Sequence, residues 1–213
     1  MARSSKEEAL VTRDLILDAA ERVFQIRGVS RTSLQEVAQE AGLTRGAIYW
    51  HFKNKADVFD AMMLRVTVPM VASLNNQPEA ESGNPLDHLR QNVATAFRLI
   101  VHDAQVRRVF EIASHKVEYV DDLLSGRDRH ISERAGCLSD LERLLALAAV
   151  QGRLRSGTST LVASVGLHAL IDGLMHNWLL DPQAFDLEVL GAQTLDTYLA
   201  GLAVTDLSLL SIR

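Results

Sequence analysis

Apolar residues recur at spacings of three and four along most of the chain, with few β-branched runs to compete, and this periodicity predicts an all-α protein. The first helix is expected from about Lys6 to Arg27, with Leu15, Ile16, Ala19, Ala20, Val23 and Phe24 as its buried stripe and Gly28 as its stop. A shorter segment follows, placing Leu34, Val37, Ala38 and Ala41 on one face and Gln35, Glu36, Gln39 and Glu40 on the other. Two overlapping pairs, Thr32 with Gln35 and Ser33 with Glu36, have the spacing of a capping box, which satisfies the orphan amides of a helix start. Gly42 can take the left-handed conformation of a tight exit, and Thr44 can cap a third helix from Arg45 to His51. Two short helices joined by so few residues have the layout of a helix-turn-helix.

Six further helices bring the predicted set to nine. The fourth starts near Lys55, where Asn54 and Asp57 have cap spacing, and runs past Met70 with Pro69 inside it. Proline has no amide hydrogen for the carbonyl of Arg65 four residues back, so a kink or loosening is expected there. The segment from Asn75 to Asp87 is rich in turn formers and is expected to be the most mobile loop. The remaining helices are expected over about Leu86 to His102, Ala104 to Lys116, Val120 to Gly152, Thr158 to Leu180 and Leu187 to Thr205. In the eighth, Leu161, Val162, Val165, Leu167, Leu170, Ile171, Leu174, Met175, Trp178 and Leu179 cover more than one face, so this helix needs cover on two sides. Leu190, Leu195, Tyr198, Leu199 and Leu202 on the ninth, with Gly191 and Gly201 permitting close approach, point to a subunit contact.

A chain of 213 residues is long enough for a small module and a larger companion with its own core. No apolar run follows Met1, and no apolar stretch nears the roughly 20 residues of a membrane span, so a cytoplasmic protein with no membrane partner is expected. Cys137 is the single cysteine and cannot form an internal disulfide, which fits a reducing compartment. The formal net charge is −5, yet Arg45 to Lys55 carries three cations, Arg45, Lys53 and Lys55, plus His51 and no acid. Such a local patch neutralises phosphates and releases counterions even where the whole molecule is acidic.

With Ala47, Ile48 and Phe52 turned to the core, Arg45, Gly46, Tyr49, Trp50 and His51 lie on or near the outside. Exposed aromatics among cations suit a DNA-reading surface. Arg45, near the helix start, is the candidate for a bidentate contact to guanine in the major groove, and Gly46 lets the backbone come close. Tyr49, Trp50 and His51 are candidates for phosphate and sugar contacts, with Thr32, Ser33, Thr44 and Lys55 adding hydroxyls, amides and charge.

The run T-S-L-x-E-V-A-x-E-A-G-L-T-R-G-A-I-Y-W-H-F-K-N-K from Thr32 to Lys55 resembles the DNA-binding domain of the tetracycline-repressor (TetR) family. Its R-G-A-I-Y-W-H-F-K-N-K core resembles the branch that represses multidrug-efflux operons. Upstream, the basic arm around Arg3 and Lys6 and R-D-x-I-L-D-A-A-E-x-V-F from Arg13 to Phe24 are similar to the same domain. Downstream, E-I-x-x-H-K-x-E-Y-x-D-D from Glu111 to Asp122 and D-G-L-x-x-x-W-L-L-x-P from Asp172 to Pro182 resemble the branch's ligand-binding domain.

The resemblance implies a DNA-binding domain over residues 1–55, a ligand-binding and dimerisation domain over 56–213, and a fourth helix linking them. It implies a homodimer joined through the last two helices and a palindromic double-stranded operator, with half-sites about one helical turn apart or a multiple of it. The implied function is repression relieved by a small lipophilic or aromatic effector, with no cofactor and no catalysis. The effector cavity is implied among the fifth to eighth helices, with Leu89, Val93, Phe97, Phe110, Cys137, Leu141, His168, Ile171, Asp172 and His176 as candidate lining and Asp172 as a polar anchor. Phe110 and Ser114 stand where this branch can carry polar side chains.

Other readings fit the residues less well. Control of a catabolic or lipid-metabolism operon is the runner-up within the family. His168, Asp172 and His176 share a helix face and suit zinc or nickel by type, which would make a metal-responsive regulator, but a straight helix spreads the outer two over about 12 Å, too far to share one ion without a bend or other ligands. Cys137 lies in a helical run without a nucleophile turn, and neither a glycine-rich phosphate loop nor an H-E-x-x-H motif is present, so nothing composes an enzyme site.

Overall fold

The computed structural model describes residues 2–75, 83–119 and 123–204. Among them are nine helices: α1 (Ala2–Arg27), α2 (Leu34–Glu40), α3 (Arg45–His51), α4 (Lys55–Asn75), α5 (Pro85–His102), α6 (Ala104–His115), α7 (Leu124–Val150), α8 (Thr160–Leu180) and α9 (Leu187–Leu202). The arm expected before the first helix is itself helical, since α1 begins at Ala2. Most of the loop expected between Asn75 and Asp87 lies outside the described residues, as do the helix limits expected at Val120 and Thr205. α4 continues through Pro69 to Asn75.

The chain divides into two compact units. The first comprises the described residues of Met1–Val71 and His102–Ser132, and the second those of Ala72–Val101 and Glu133–Arg213. In the first, α1 packs on α2 and α6, and α2 packs on α3. Ile16, Leu17, Ala19, Ala20, Val23 and Phe24 of α1 are buried together with Val37, Ile48, Phe52, Val58 and Met62. Leu15, assigned to the stripe from sequence, is 48% exposed and its place is taken by Leu17. Successive helical residues stand about 100° apart, so the buried arc admits Leu17 and leaves Leu15 on the rim.

A carboxylate lies within that apolar arc. Glu21 is 1% exposed, and both its oxygens are engaged. Arg65 of α4 pairs with one of them, Gln105 of α6 donates to the same oxygen at 3.0 Å, and Arg108 of α6 meets the other at 3.4 Å. Arg65 also pairs with Asp18 at 2.8 Å and reaches the carbonyl of Asp14 at 3.5 Å, while its Nε is buried without a partner among the described residues. A charge can be held out of water only when paired in this way, and the pairing draws α4 and α6 onto one face of α1.

In the second unit α5 is the most clearly amphipathic element, burying His88, Leu89, Val93, Ala96, Phe97 and Ile100. α8 and α9 pack together. Tyr198 lies across Gly166, and its hydroxyl donates to the carbonyl of Ala163 at 2.9 Å. Gly191 serves the fold rather than a subunit contact. A Cβ there would stand 2.5 Å from Cε2 of Phe97, so this glycine admits the α5 aromatic, and Leu195 and Leu199 are likewise turned inward and buried. The apolar residues that stay exposed are Leu161, Val162, Val165 and Leu180 on α8 and Val189 and Leu190 on α9.

Replacing Glu21 by Ala would leave Arg65 with Asp18 as its carboxylate partner and take from Arg108 and Gln105 their shared acceptor. Urea denaturation should show a loss of about 1–3 kcal/mol, the worth of hydrogen bonds to a buried charge whose partners retain Asp18 or solvent. A change within the error of the measurement would show that the cluster contributes no net stability.

Candidate nucleic-acid interface

Of the two capping boxes open to the second helix, the chain uses Ser33 with Glu36. The Ser33 hydroxyl accepts from the amide of Glu36 at 3.3 Å and donates to its carboxylate at 2.9 Å, while that carboxylate accepts from the Ser33 amide at 2.8 Å. These bonds, the one to the Ser33 backbone foremost, hold the Glu36 carboxyl below its ordinary range. Gly42 (φ 68°) turns the chain, and Thr44 accepts from the amide of Ala47 at 3.2 Å to start α3. At the far end, Asn54 accepts from the amide of Asp57 at 2.9 Å and Asp57 accepts from that of Lys53 at 3.0 Å, which fixes the entry to α4.

α3 has seven residues and presents two faces. Ile48 is fully buried and Phe52, just beyond it, nearly so. Outward, Arg45 and Gly46 are exposed, Tyr49 is 47% exposed and Trp50 73%. Packing between helices therefore does not account for Trp50. The Arg45 guanidinium lies 5.5 Å from the centre of the Tyr49 ring, and Trp50 meets His51 edge-on at 4.6 Å. Arg13 of α1 sits over Phe52 at 5.2 Å, placing a further cation behind the reader. His51 is half-buried, and burial first, then repulsion from Arg13, holds its imidazole below the usual range.

Several expected phosphate contacts are otherwise employed. Thr32 is 3% exposed and its hydroxyl donates to the carbonyl of Gly28 at 2.8 Å, so it stabilises the α1 exit and does not face a ligand. A hydroxyl has one proton, and that of Ser33 goes to Glu36. Thr44 differs: it uses a lone pair to cap, and its proton remains to be donated outward from an exposed position. Lys55 is half-buried and its Nζ donates to the carbonyl of Ser30 at 2.8 Å. Lys53, counted in the cationic run but not among the residues given a contact from sequence, is exposed, and among the described residues neither it nor Arg45 has a carboxylate partner.

The ten residues nominated for the effector differ in burial. Leu89, Val93 and Phe97 are buried, Leu141, His168 and Ile171 are half-buried, and Cys137, Asp172 and His176 are exposed. Phe110 belongs to the first unit. His168, Asp172 and His176 do not converge, and among the described residues no group of three or more His, Cys, Asp or Glu could hold a metal ion. An open groove between α1 and α2, lined by Val23 and Ile26 as well as by Arg22, Gln25, Arg27, Glu36, Gln39 and Glu40, is spanned by the Arg22–Glu40 and Arg27–Glu36 ion pairs. No helix of the described residues is long and apolar enough to cross a membrane.

Comparison with known proteins places these features. The model described as bacterial regulatory proteins, tetR family, matches residues 16–62, and that described as MAATS-type transcriptional repressor, C-terminal region, matches residues 84–204. The HTH-type transcriptional regulator TtgR of Pseudomonas putida is 40% identical over 189 residues, covering 88% of this chain and 89% of that protein. Among solved structures, NalD, the secondary repressor of the MexAB-OprM multidrug efflux pump in Pseudomonas aeruginosa, superposes with a TM-score of 0.83 at 34% identity, covering 93% of this chain and 99% of NalD. The SmeT–triclosan complex gives 0.80 at 34% identity, covering 92% and 93%; SmeT is the repressor of the Stenotrophomonas maltophilia multidrug efflux pump SmeDEF.

The half-buried His51 yields a pH dependence. The unfolded chain takes up the imidazole proton at higher pH than the folded one, so stability present above the usual imidazole range is lost as pH falls through it toward the folded value. Between about pH 7.5 and about pH 5.5 the melting temperature should fall further in the native chain than in His51→Gln. Equal falls would show that the ring titrates as it does in the unfolded chain.

Proposed function

Because this chain belongs to the tetR family of bacterial regulatory proteins, we propose that it is a cytoplasmic repressor of a multidrug-efflux operon, released from DNA by a small lipophilic effector. The observation that carries the DNA-binding reading is the outward face of α3. Arg45 and Lys53 stand exposed without acid partners among the described residues, beside exposed Tyr49 and Trp50, in a chain of net charge −5. Cations and large aromatics are kept in water at this one place because they meet phosphates and bases there. Arg45 reads a base, Gly46 allows close approach, Thr44, Tyr49 and Trp50 hold the backbone, and Lys53 replaces Lys55 as the main phosphate cation of the turn.

The exposed apolar residues of α8 and α9 support the dimer. Leu161, Val162, Val165, Val189 and Leu190 form a surface that a second copy covers by the same residues, as two-fold symmetry requires. Two reading heads related by that axis match a palindromic operator. Effector control then follows from differential affinity. A ligand taken up by the companion helices, with half-buried Leu141, His168 and Ile171 as candidate lining, favours a course of α4 in which the heads no longer match successive major grooves. Pro69 leaves the Arg65 carbonyl without its helical donor and localises the bend. A coupling of about 1–3 kcal/mol changes DNA affinity several-fold to about a hundredfold, and DNA weakens the ligand equally.

The decisive experiment is a footprint on the DNA upstream of the protein's own gene. A two-fold protected site should appear and be lost on adding triclosan, the ligand of one structural neighbour, or another lipophilic antimicrobial. Folded dimers that leave that DNA unprotected at modest ionic strength would overturn the reading. Within the site, Arg45→Ala should cost about 1–3 kcal/mol, concentrated at one base pair of each half-site. Lys53→Ala should weaken all sequences alike and flatten the salt dependence by about one counterion. Uniform losses for Arg45→Ala across all operator variants would remove its base-reading role.

A further inference from the structure

We propose that His88 and Asn92 of α5 form the polar anchor of the effector site and select an uncharged ligand that presents both a hydrogen-bond donor and an acceptor, such as a hydroxyl, on an apolar body. The inference rests on the effector-controlled reading above. It starts from an anomaly in the buried face of α5, which is otherwise hydrocarbon: Leu89, Val93, Ala96, Phe97 and Ile100. His88 is 7% exposed, and its Nε2 lies 3.2 Å from Nδ2 of Asn92, one turn along. The other polar atom of each side chain, His88 Nδ1 and Asn92 Oδ1, is shielded from solvent and has no partner among the described residues. Buried polar atoms are almost always paired, and two unpaired ones on adjacent turns of an apolar face are atoms set aside for a partner from outside the chain.

The chemistry of that partner follows from the pair itself. If Nε2 accepts from the Asn92 amide, the ring proton is on Nδ1, which is then a donor, and Oδ1 is an acceptor. If the amide is turned so that its oxygen accepts from a protonated Nε2, then Nδ1 is the acceptor and the amide NH2 supplies the donor. Either arrangement leaves one donor and one acceptor. A neutral hydroxyl satisfies both. A carboxylate offers only acceptors and an ammonium only donors, so each would leave one half of the pair unpaired and would carry a charge into an apolar face. Asp172, the polar anchor expected from sequence, is exposed. His88 and Asn92 are the groups whose unmet valences require a ligand.

A matched pair of probes tests this on the full chain by calorimetric titration. 1-Naphthol and 1-methoxynaphthalene share an apolar body, but the ether lacks the donor. The native chain should bind 1-naphthol about tenfold more tightly than the ether, the worth of one net hydrogen bond. His88→Leu and Asn92→Leu should each bring the two affinities to within about twofold while keeping the binding of the ether. Should either variant fail to fold, the native chain labelled with 15N at histidine supplies the same answer: the His88 Nδ1 resonance should move with 1-naphthol and stay with the ether. Equal affinities in the native chain, an affinity ratio that survives both substitutions, or an unmoved resonance would overturn the anchor. So would the absence of any binding by both probes to protein that still protects its operator. Protein that protects no operator at all would instead overturn the regulatory reading beneath it.

Discussion

A single buried carboxylate sets the geometry of the first unit. Glu21 stands in the apolar arc of α1 between Ala20 and Val23, where water cannot solvate it, and it is tolerable only while Arg65, Arg108 and Gln105 reach it. Those three come from α4 and α6, so one solvation requirement fixes two helices against a third. Hydrophobic contact alone would allow these helices to slide, because dispersion is weakly directional. Ion pairs and hydrogen bonds with defined partners do not permit sliding. Along α4, Arg65 is clamped on Asp18 and Glu21, and Pro69 deprives the Arg65 carbonyl of its helical donor. A fixed point and a weakened point thus lie one helical turn apart.

The reading head depends on its surroundings in a different way. Helices of seven residues such as α2 and α3 would not persist alone in water, since nucleation costs more than so few bonds return. They exist because Ser33 and Thr44 satisfy orphan amides at their starts and because Val37, Ile48 and Phe52 enter the common core. Position is therefore imposed on Arg45 and Trp50 from below, and the outward face is left to chemistry. The cost is that Thr32, Ser33 and Lys55, polar residues next to the head, are committed to holding it.

Local features of this architecture were legible in the sequence, and non-local ones were not. Helix periodicity, the Gly28 and Gly42 exits and the Thr44 and Asn54 caps involve residues within a few positions of each other, and the nine helices with the outward Arg45, Tyr49 and Trp50 follow from them. The choice between two capping boxes needed to know that the Thr32 hydroxyl meets the Gly28 carbonyl in the folded loop. Whether Leu15 or Leu17 is buried depends on where α2 and α6 lie, and Gly191 reads as a subunit contact until Phe97 arrives from almost a hundred residues away. Glu21 within an apolar stripe and the i, i+4 pair His88 and Asn92 on another were visible anomalies. Their partners, or lack of them, were not.

The loop leaving α1 is stitched more densely than its length would suggest. The Val29 amide donates to the carbonyl of Lys116 at 2.8 Å, Ser30 exchanges two bonds with the backbone of Glu118 at 3.1 and 3.2 Å, and Lys55 donates to Ser30. Gly28, at φ 80°, makes this seam possible, since a Cβ there would press to 3.2 Å on the Lys116 carbonyl. The segment trailing α6 and the segment feeding α2 are consequently one mechanical object, with no slack between them. Any advance of α6 along its axis must either rupture that seam or drag the entrance of α2 with it, which gives the reading head a second tether that owes nothing to α4.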